Sequence, residues 1–166
     1  MKAFKTITVV FLLEIFLVSP IGIALAGALP DPNMTPGTTD PRVTQETIGQ
    51  TICVPHYTET VRPAPSYTNR IKREQIEAYG YTDKNLSHYE EDHLVSLQLG
   101  GSPDDPRNLW PQPYAGKCGA RIKDKVEGKL KRMICAGEIT LKDAQQAIAT
   151  NWIAAYEKYY DHAGCQ

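Results

Sequence analysis

The clearest pattern in the chain is a helical repeat of apolar residues in its C-terminal third. The repeat has spacings of four, four and three residues and consists of Ile122, Val126, Leu130 and Met133. These spacings place the four side chains on one stripe of a helix. They predict a helix from Ala120 to about Cys135, closed by Gly137, with the stripe buried.

A second helical repeat follows after a short turn. Thr140 begins it as an N-cap, and Asp143 stands three residues later as its capping-box partner. Its apolar residues form one stripe that we expect to be core: Ala144, Ile148, Trp152, Ala155 and Tyr159.

Upstream of these repeats, a shorter helix is predicted from about Arg70 to Tyr79. Thr68 or Asn69 can cap its start, and Gly80 ends it. Its apolar residues are sparse, so we expect only one edge of it to pack.

Between the helices, the pattern becomes strand-like. A short buried strand is predicted by Leu94, Val95, Leu97 and Leu99. Gly100-Gly101 breaks it, residues 102–106 make a polar turn, and Asn108 opens an apolar return strand. We therefore predict a hairpin with a loop of about eight residues. Asp92 and His93 stand at one end of it and Asn108 at the head of its second strand.

The N-terminus has the pattern of a secretory signal at residues 1–26. Two lysines precede an apolar run, and Ala24-Leu25-Ala26 is an A-x-A cleavage site. The competing interpretation is an uncleaved membrane anchor, which Glu14 and Pro20 weaken. We predict cleavage, no stable membrane anchoring of the mature chain, and a secreted or periplasmic location.

The mature chain divides into a tail and one domain. Residues 27–50 are rich in Pro, Gly, Thr and Asp and have little to bury, which predicts a flexible linker. A folded domain is expected over residues 51–166, starting with a short strand at Thr51–Val54. No pattern in the sequence indicates an oligomeric state.

The net charge of the chain is small, but one segment is strongly basic. The formal net charge is −1, and losing two Lys and one Glu with residues 1–26 makes it −2. This balance argues against a bulk electrostatic nucleic-acid binder. Residues 117–132, however, contain seven basic and two acidic side chains.

All four cysteines lie outside the signal, at Cys53, Cys118, Cys135 and Cys165. An even number in an exported chain predicts two disulfides, and the sequence alone allows three pairings. Zinc is the alternative, but no Cys-x-x-Cys or Cys-x-x-His spacing is present.

The polar residues of the hairpin suit phosphodiester hydrolysis. This reaction needs an activated water and a cation near the scissile phosphate. A histidine such as His93 can take a proton near neutral pH, and the oxygens of Asp92 and Asn108 suit hard cations.

The order Glu-Asp92-His93, Gly100-Gly101 and Asn108-Leu-Trp-Pro resembles the HNH, or His-Me finger, endonucleases with a ββα-metal core. The resemblance is closest to small secreted bacterial HNH-like proteins. It implies that His93 is the general base, that Asp92 binds a divalent metal, and that Asn108 positions the hairpin or completes the metal site. Mg²⁺ or Mn²⁺ is the implied cofactor, and nucleic acid is the implied substrate.

Many proteins of this family place a further His or Asn ligand on the helix after the hairpin, and this chain has neither there. If the apolar stripe faces the hairpin, Asp124 points away and Glu127 is the better third ligand. The alternative for Glu127 is a surface i,i+4 pair with Lys123. We expect Lys123, Lys129 and Arg121 to bind phosphates.

The resemblance also favours one disulfide pairing. In the secreted relatives, cysteines recur in contexts like Thr-Ile-Cys53 and Ile-Cys135-Ala-Gly, which implies Cys53–Cys135 and leaves Cys118–Cys165.

Together these observations predict an α+β fold with a ββα-metal hairpin–helix core, flanking helices and disulfide staples. The predicted function is a secreted, metal-dependent endonuclease that cleaves DNA or RNA. The alternative is a non-enzymatic secreted binding module that keeps the HNH-like scaffold, which a Glu127 beyond reach of Asp92 would favour.

Overall fold

The computed structural model describes residues 27–165, so the predicted signal at residues 1–26 lies outside the described part of the chain. Within that part, helices surround one small sheet, and the fold is α+β as predicted. The elements in chain order are α1 (Tyr57–Val61), α2 (Pro65–Ala78), β1 (Tyr89–His93), β2 (Leu109–Pro113), α3 (Ala120–Cys135) and α4 (Leu141–Tyr159).

The sheet is an antiparallel hairpin of β1 and β2. Its register runs from Tyr89 opposite Pro113 to His93 opposite Leu109. The predicted return strand is confirmed, but the first strand is not where the sequence placed it. It covers the acidic segment 89–93, while Leu97–Leu99 forms a 3₁₀ turn.

This error has a physical reason. The apolar run at residues 94–99 signals burial, and a buried turn needs the same side chains as a buried strand. Ser96 favours the turn, because its Oγ accepts a hydrogen bond from the backbone N–H of Gln98 at 3.2 Å. The connection between the strands is therefore residues 94–108, longer than the eight residues predicted.

The helices agree better with the sequence. Helix α3 has the predicted bounds, and α4 begins at the predicted cap, where Thr140 Oγ1 accepts from the N–H of Asp143 at 3.1 Å. Helix α2 starts earlier than predicted because Pro65 suits the first helical turn. The predicted strand at Thr51–Val54 is a turn in the structure.

The core lies between α3, α4 and the loop that leaves β1. Its largest fully buried apolar side chains include Trp110, Trp152, Leu94, Leu99, Leu130, Ile134 and Ile148. Helix α4 buries four residues of the predicted stripe, but Tyr156 is buried in place of Tyr159, which is half-buried. The helix is kinked at Asn151, whose Oδ1 caps the following turn by accepting from the N–H of Ala154 at 3.0 Å.

Residues 27–50 pack against the domain, contrary to the flexible linker predicted for them. The backbone carbonyl of Ala28 accepts a hydrogen bond from Trp152 Nε1 at 2.7 Å, and Thr39 bridges to Gly101. Val43 belongs to the core. The composition of this segment shows only that it has few apolar side chains of its own to bury. Its backbone groups and a few side chains nevertheless pack on the surface of other elements. The folded unit thus includes residues 27–50 and does not begin at residue 51.

Two disulfides tie both ends of α3, and their pairing is the one predicted. Cys53 joins Cys135 at the last residue of α3, and Cys118 joins Cys165 just before its first turn. The two disulfides fit an oxidising compartment. No helix within residues 27–165 combines the length and apolar character needed to cross a bilayer.

Candidate functional site

His93 ends β1 with its ring directed into the connection between the strands. Its Nε2 lies 2.8 Å from the backbone carbonyl of Pro103. Because a carbonyl oxygen can only accept, Nε2 carries the proton and Nδ1 is the basic nitrogen. Burial lowers the pKa of His93 to about 4, helped by the charges of Lys123 and Arg62, while the Pro103 contact opposes the shift. His93 is therefore a neutral imidazole with one defined tautomer at physiological pH.

Asn108 holds the connection that shapes this site. Its Oδ1 accepts from the N–H of Val95 at 2.9 Å and of Thr38 at 3.3 Å. Its Nδ2 donates to the carbonyls of Val95 and Ser102, both at 2.9 Å. The side chain is fully buried and its amide is saturated. Asn108 thus braces the loop. Because its amide oxygen already accepts two backbone N–H groups, it is not free to bind a metal ion as predicted.

The glycine pair makes this bracing possible. A Cβ at Gly101 would lie 1.6 Å from the carbonyl oxygen of Val95 and 2.8 Å from Nδ2 of Asn108. Gly100 has a φ of 74°, in the left-handed region that favours glycine. The Gly-Gly motif is therefore needed for close backbone approach around Asn108.

On the side of β1 that faces α3, an ion cluster joins the two elements. Lys123 is 0% exposed, and its Nζ donates to Asp92 Oδ2 at 2.7 Å and to the backbone carbonyl of His93 at 2.7 Å. Its third N–H donates to Glu127 Oε1 at 2.5 Å. Burial lowers the pKa of the ammonium, but the two carboxylates outweigh it and raise the pKa above its ordinary value.

This cluster corrects two predictions for α3. Lys123 was expected to bind phosphates at the surface, yet it is inside and all three of its protons are used. Glu127 faces the hairpin as predicted, but it contacts the Lys123 ammonium, and its pair with Lys123 is buried rather than on the surface. Asp124 lies on the exposed face of the helix, as expected.

The other predicted phosphate ligands lie on different faces of α3. Arg121 is exposed and its guanidinium stands 5.7 Å above the ring of Tyr114. Lys129 is six residues from Lys123, about 240° around the helix, and is half-buried. The structure does not bring these two cations together with Lys123. Arg62, which sequence reasoning did not single out, is exposed and lowers the pKa of His93.

The predicted metal ligands Asp92, Asn108 and Glu127 do not fit a metal ion in this arrangement. Asn108 is saturated by backbone groups, and the two carboxylates share the Lys123 ammonium. Among residues 27–165, no group of three or more His, Cys, Asp or Glu side chains is placed to hold a metal ion. We assign no chemical step to a metal here.

The role of Lys123 had a signal in the sequence. The buried face of α3 follows spacings of three, four, three and four through Ala120, Lys123, Glu127, Leu130 and Ile134. This series includes one lysine and one glutamate on the core face, at the i,i+4 spacing of an ion pair. The stripe based on Ile122 and Met133 was wrong at these two residues, which are only half-buried.

Comparison of the chain with models of known families, with curated proteins and with solved structures gives no match.

Proposed function

We propose that this protein is an exported endonuclease of the HNH type that hydrolyses phosphodiester bonds in DNA or RNA. The observation that carries the proposal is the state of His93. Its Nε2–H is held by the Pro103 carbonyl, so Nδ1 carries the free lone pair, and the pKa of about 4 keeps the ring neutral but makes it a weaker base than an ordinary histidine. The signal-like residues 1–26 and the two disulfides support export.

In the proposed reaction, Nδ1 of His93 takes a proton from a water molecule. The oxygen of that water forms a bond to phosphorus, and the bond from phosphorus to one sugar oxygen breaks. The departing oxygen takes a proton from solvent. Arg62 is exposed and its charge acts on His93, so it is a proposed contact to substrate phosphates, together with the exposed Arg121 at the start of α3.

The test uses the mature protein with its disulfides intact. Supercoiled plasmid and a structured RNA are incubated with Mg²⁺, with Mn²⁺ and with chelator. We expect cleavage by the wild type, and a loss of about 10²–10⁴-fold in rate for His93→Ala, the typical cost of losing a general base. His162→Ala, which alters an exposed histidine near the C-terminus, is the matched control and should cut like the wild type.

Two results would contradict this proposal. Equal cleavage by wild type and folded His93→Ala would assign the activity to another site or to a contaminant. No cleavage of either substrate under any condition would favour the second candidate, a secreted binding module that retains the hairpin and helix. The saturation of Asn108 and the pairing of both carboxylates with Lys123 are the observations that favour that candidate.

A further inference from the structure

The environment of the Lys123 ammonium is that of a cation site. An ammonium has three N–H donors, and here they meet one carboxylate of β1, one backbone carbonyl of β1 and one carboxylate of α3. The three acceptor oxygens lie 2.5–2.7 Å from Nζ. Carboxylate and carbonyl oxygens are also the ligands that hard divalent cations take.

Within residues 27–165, the oxygens that converge at this junction are already occupied by N–H donors. The amide oxygen of Asn108, the other predicted ligand, accepts two backbone N–H groups. Nζ lies at the point where the oxygens of Asp92 and Glu127 converge, and the lysine is fully buried. A metal ion could reach these oxygens only by expelling Lys123, whose stem is packed in the interior and whose charge would then lack a partner.

We propose that Lys123 is the resident cation of this site and that it closes the position between Asp92 and Glu127 to divalent metal ions. A catalytic role for Lys123 rests on the proposed nuclease function, and in that enzyme Lys123 is a positioning residue. It fixes the carbonyl of His93, and thereby the end of β1 that carries the ring, against α3. The cation is supplied by the chain itself.

The experiment measures Mn²⁺ binding by the isotopically labelled mature protein. Manganese broadens the NMR signals of amides near it, so an ion bound between Asp92 and Glu127 would erase the amides around His93 and Lys123. We expect no such centre of broadening in the wild type or in Lys125→Ala, a control that removes an exposed lysine from the same helix. Lys123→Ala should gain one Mn²⁺ per chain, with affinity at least about tenfold tighter than the wild type, as two freed carboxylates provide ligands.

The gained site has its own control. Lys123→Ala combined with Glu127→Gln should lose the added Mn²⁺. If Lys123→Ala folds only when Mn²⁺ is present, the metal has replaced the ammonium and the proposal is supported. If it does not fold at all, the wild-type titration decides, because one Mn²⁺ centred on His93 and Lys123 in the wild type overturns the proposal.

Binding and cleavage together separate this inference from the proposed function. Cleavage in chelator by a wild type that binds no Mn²⁺ at this position supports both. Absence of cleavage with no bound Mn²⁺ refutes the nuclease and leaves Lys123 as the cation of a structural site. Cleavage that needs Mn²⁺, with the ion bound between the two carboxylates, supports the nuclease and refutes the role of Lys123.

Discussion

The two sides of β1 differ in whether the oxygens of a buried carboxylate contact a cation. Toward α3, Asp92 and Glu127 share the Lys123 ammonium, which opposes the effect of burial on Asp92, although burial still leaves the pKa of Asp92 above its ordinary value. Glu91 is the next residue back in the strand and points to the other side, as alternation along a strand requires. Within residues 27–165, neither of its buried carboxylate oxygens has a hydrogen-bond partner. Burial raises the pKa of Glu91 to about 8.

A lysine is present on the second side as well, but it is used differently. The Nζ of Lys72, on α2, donates to the backbone carbonyl of Tyr89 at 2.8 Å and more weakly to that of Leu86. Its charge lowers the pKa of Glu91 without overcoming burial. The two lysines thus differ in their contacts: Lys123 donates to carboxylate oxygens, whereas Lys72 donates to backbone carbonyls. One side of β1 therefore holds carboxylates paired with an ammonium, and the other holds Glu91, whose pKa of about 8 leaves it mostly protonated at neutral pH.

The strongest test of this contrast removes the ammonium of the ion cluster. Lys123→Ala leaves Asp92 and Glu127 buried and close together without compensation, so we expect the free energy of unfolding to fall by about 3–5 kcal/mol. Urea unfolding at pH 7 with the disulfides intact measures it. Lys125→Ala, at the exposed neighbour two residues on, should change stability by no more than about 0.5 kcal/mol. Equal losses for the two variants would show that the cluster contributes nothing.

A second test concerns the side that we expect to be protonated. The pKa of Glu91 is higher in the folded chain than in the unfolded chain, so the folded state binds more protons between about pH 4.5 and pH 8. Its contribution therefore lowers stability as pH rises through this window. Glu91→Gln removes the titration and should stabilise the protein by on the order of 4 kcal/mol more at pH 8 than at pH 4.5.

The measurement for Glu91 is thermal or urea unfolding across that pH range. Glu138→Gln alters an exposed glutamate and should leave the pH dependence of the wild type in place. A Glu91→Gln profile parallel to that of the wild type would mean that Glu91 is ionised when folded, and that the two sides of β1 do not differ.

The smallest effect is expected for the lysine that contacts only backbone. Lys72→Met keeps much of the aliphatic stem but loses the bonds to two carbonyls at the edge of the hairpin, and should cost about 1 kcal/mol. Arg73→Met changes the exposed neighbour on α2 and serves as the control in the same urea series. A loss for Lys72→Met as large as that for Lys123→Ala would remove the distinction between the two lysines.

Helix periodicity and helix capping predicted much of this fold because they depend on residues only a few positions apart. The even number of cysteines predicted the two disulfides. The bounds of α3, the Thr140 cap of α4 and its buried stripe follow from local spacing. The disulfide pairing came from the resemblance to secreted HNH-like proteins, and the structure confirms it. The sequence placed Asp92 and His93 before the first strand, whereas in the structure His93 ends β1 and Asn108 precedes β2, where both strands meet their connection.

Other features of the site depend on residues far apart in the sequence. Composition could not show that residues 27–50 lie on the domain, because the surface they cover belongs to other elements. Apolar character at residues 94–99 signalled burial but not the conformation of a turn. Asn108 has its amide saturated by Thr38, Val95 and Ser102, which come from two distant parts of the chain.

The sequence by itself therefore determined most of the helices and singled out candidate site residues, among them His93, Asp92 and Glu127, but it assigned Lys123 to phosphate binding. Only the tertiary structure decided which of these charged groups contact one another. A pKa or an ion pair depends on burial and on the position of the opposite charge, and Lys123 meets Asp92 only because α3 packs against β1. Glu91, on the other side of the strand, has no hydrogen-bond partner within residues 27–165, so neighbouring acidic residues differ in their pairing.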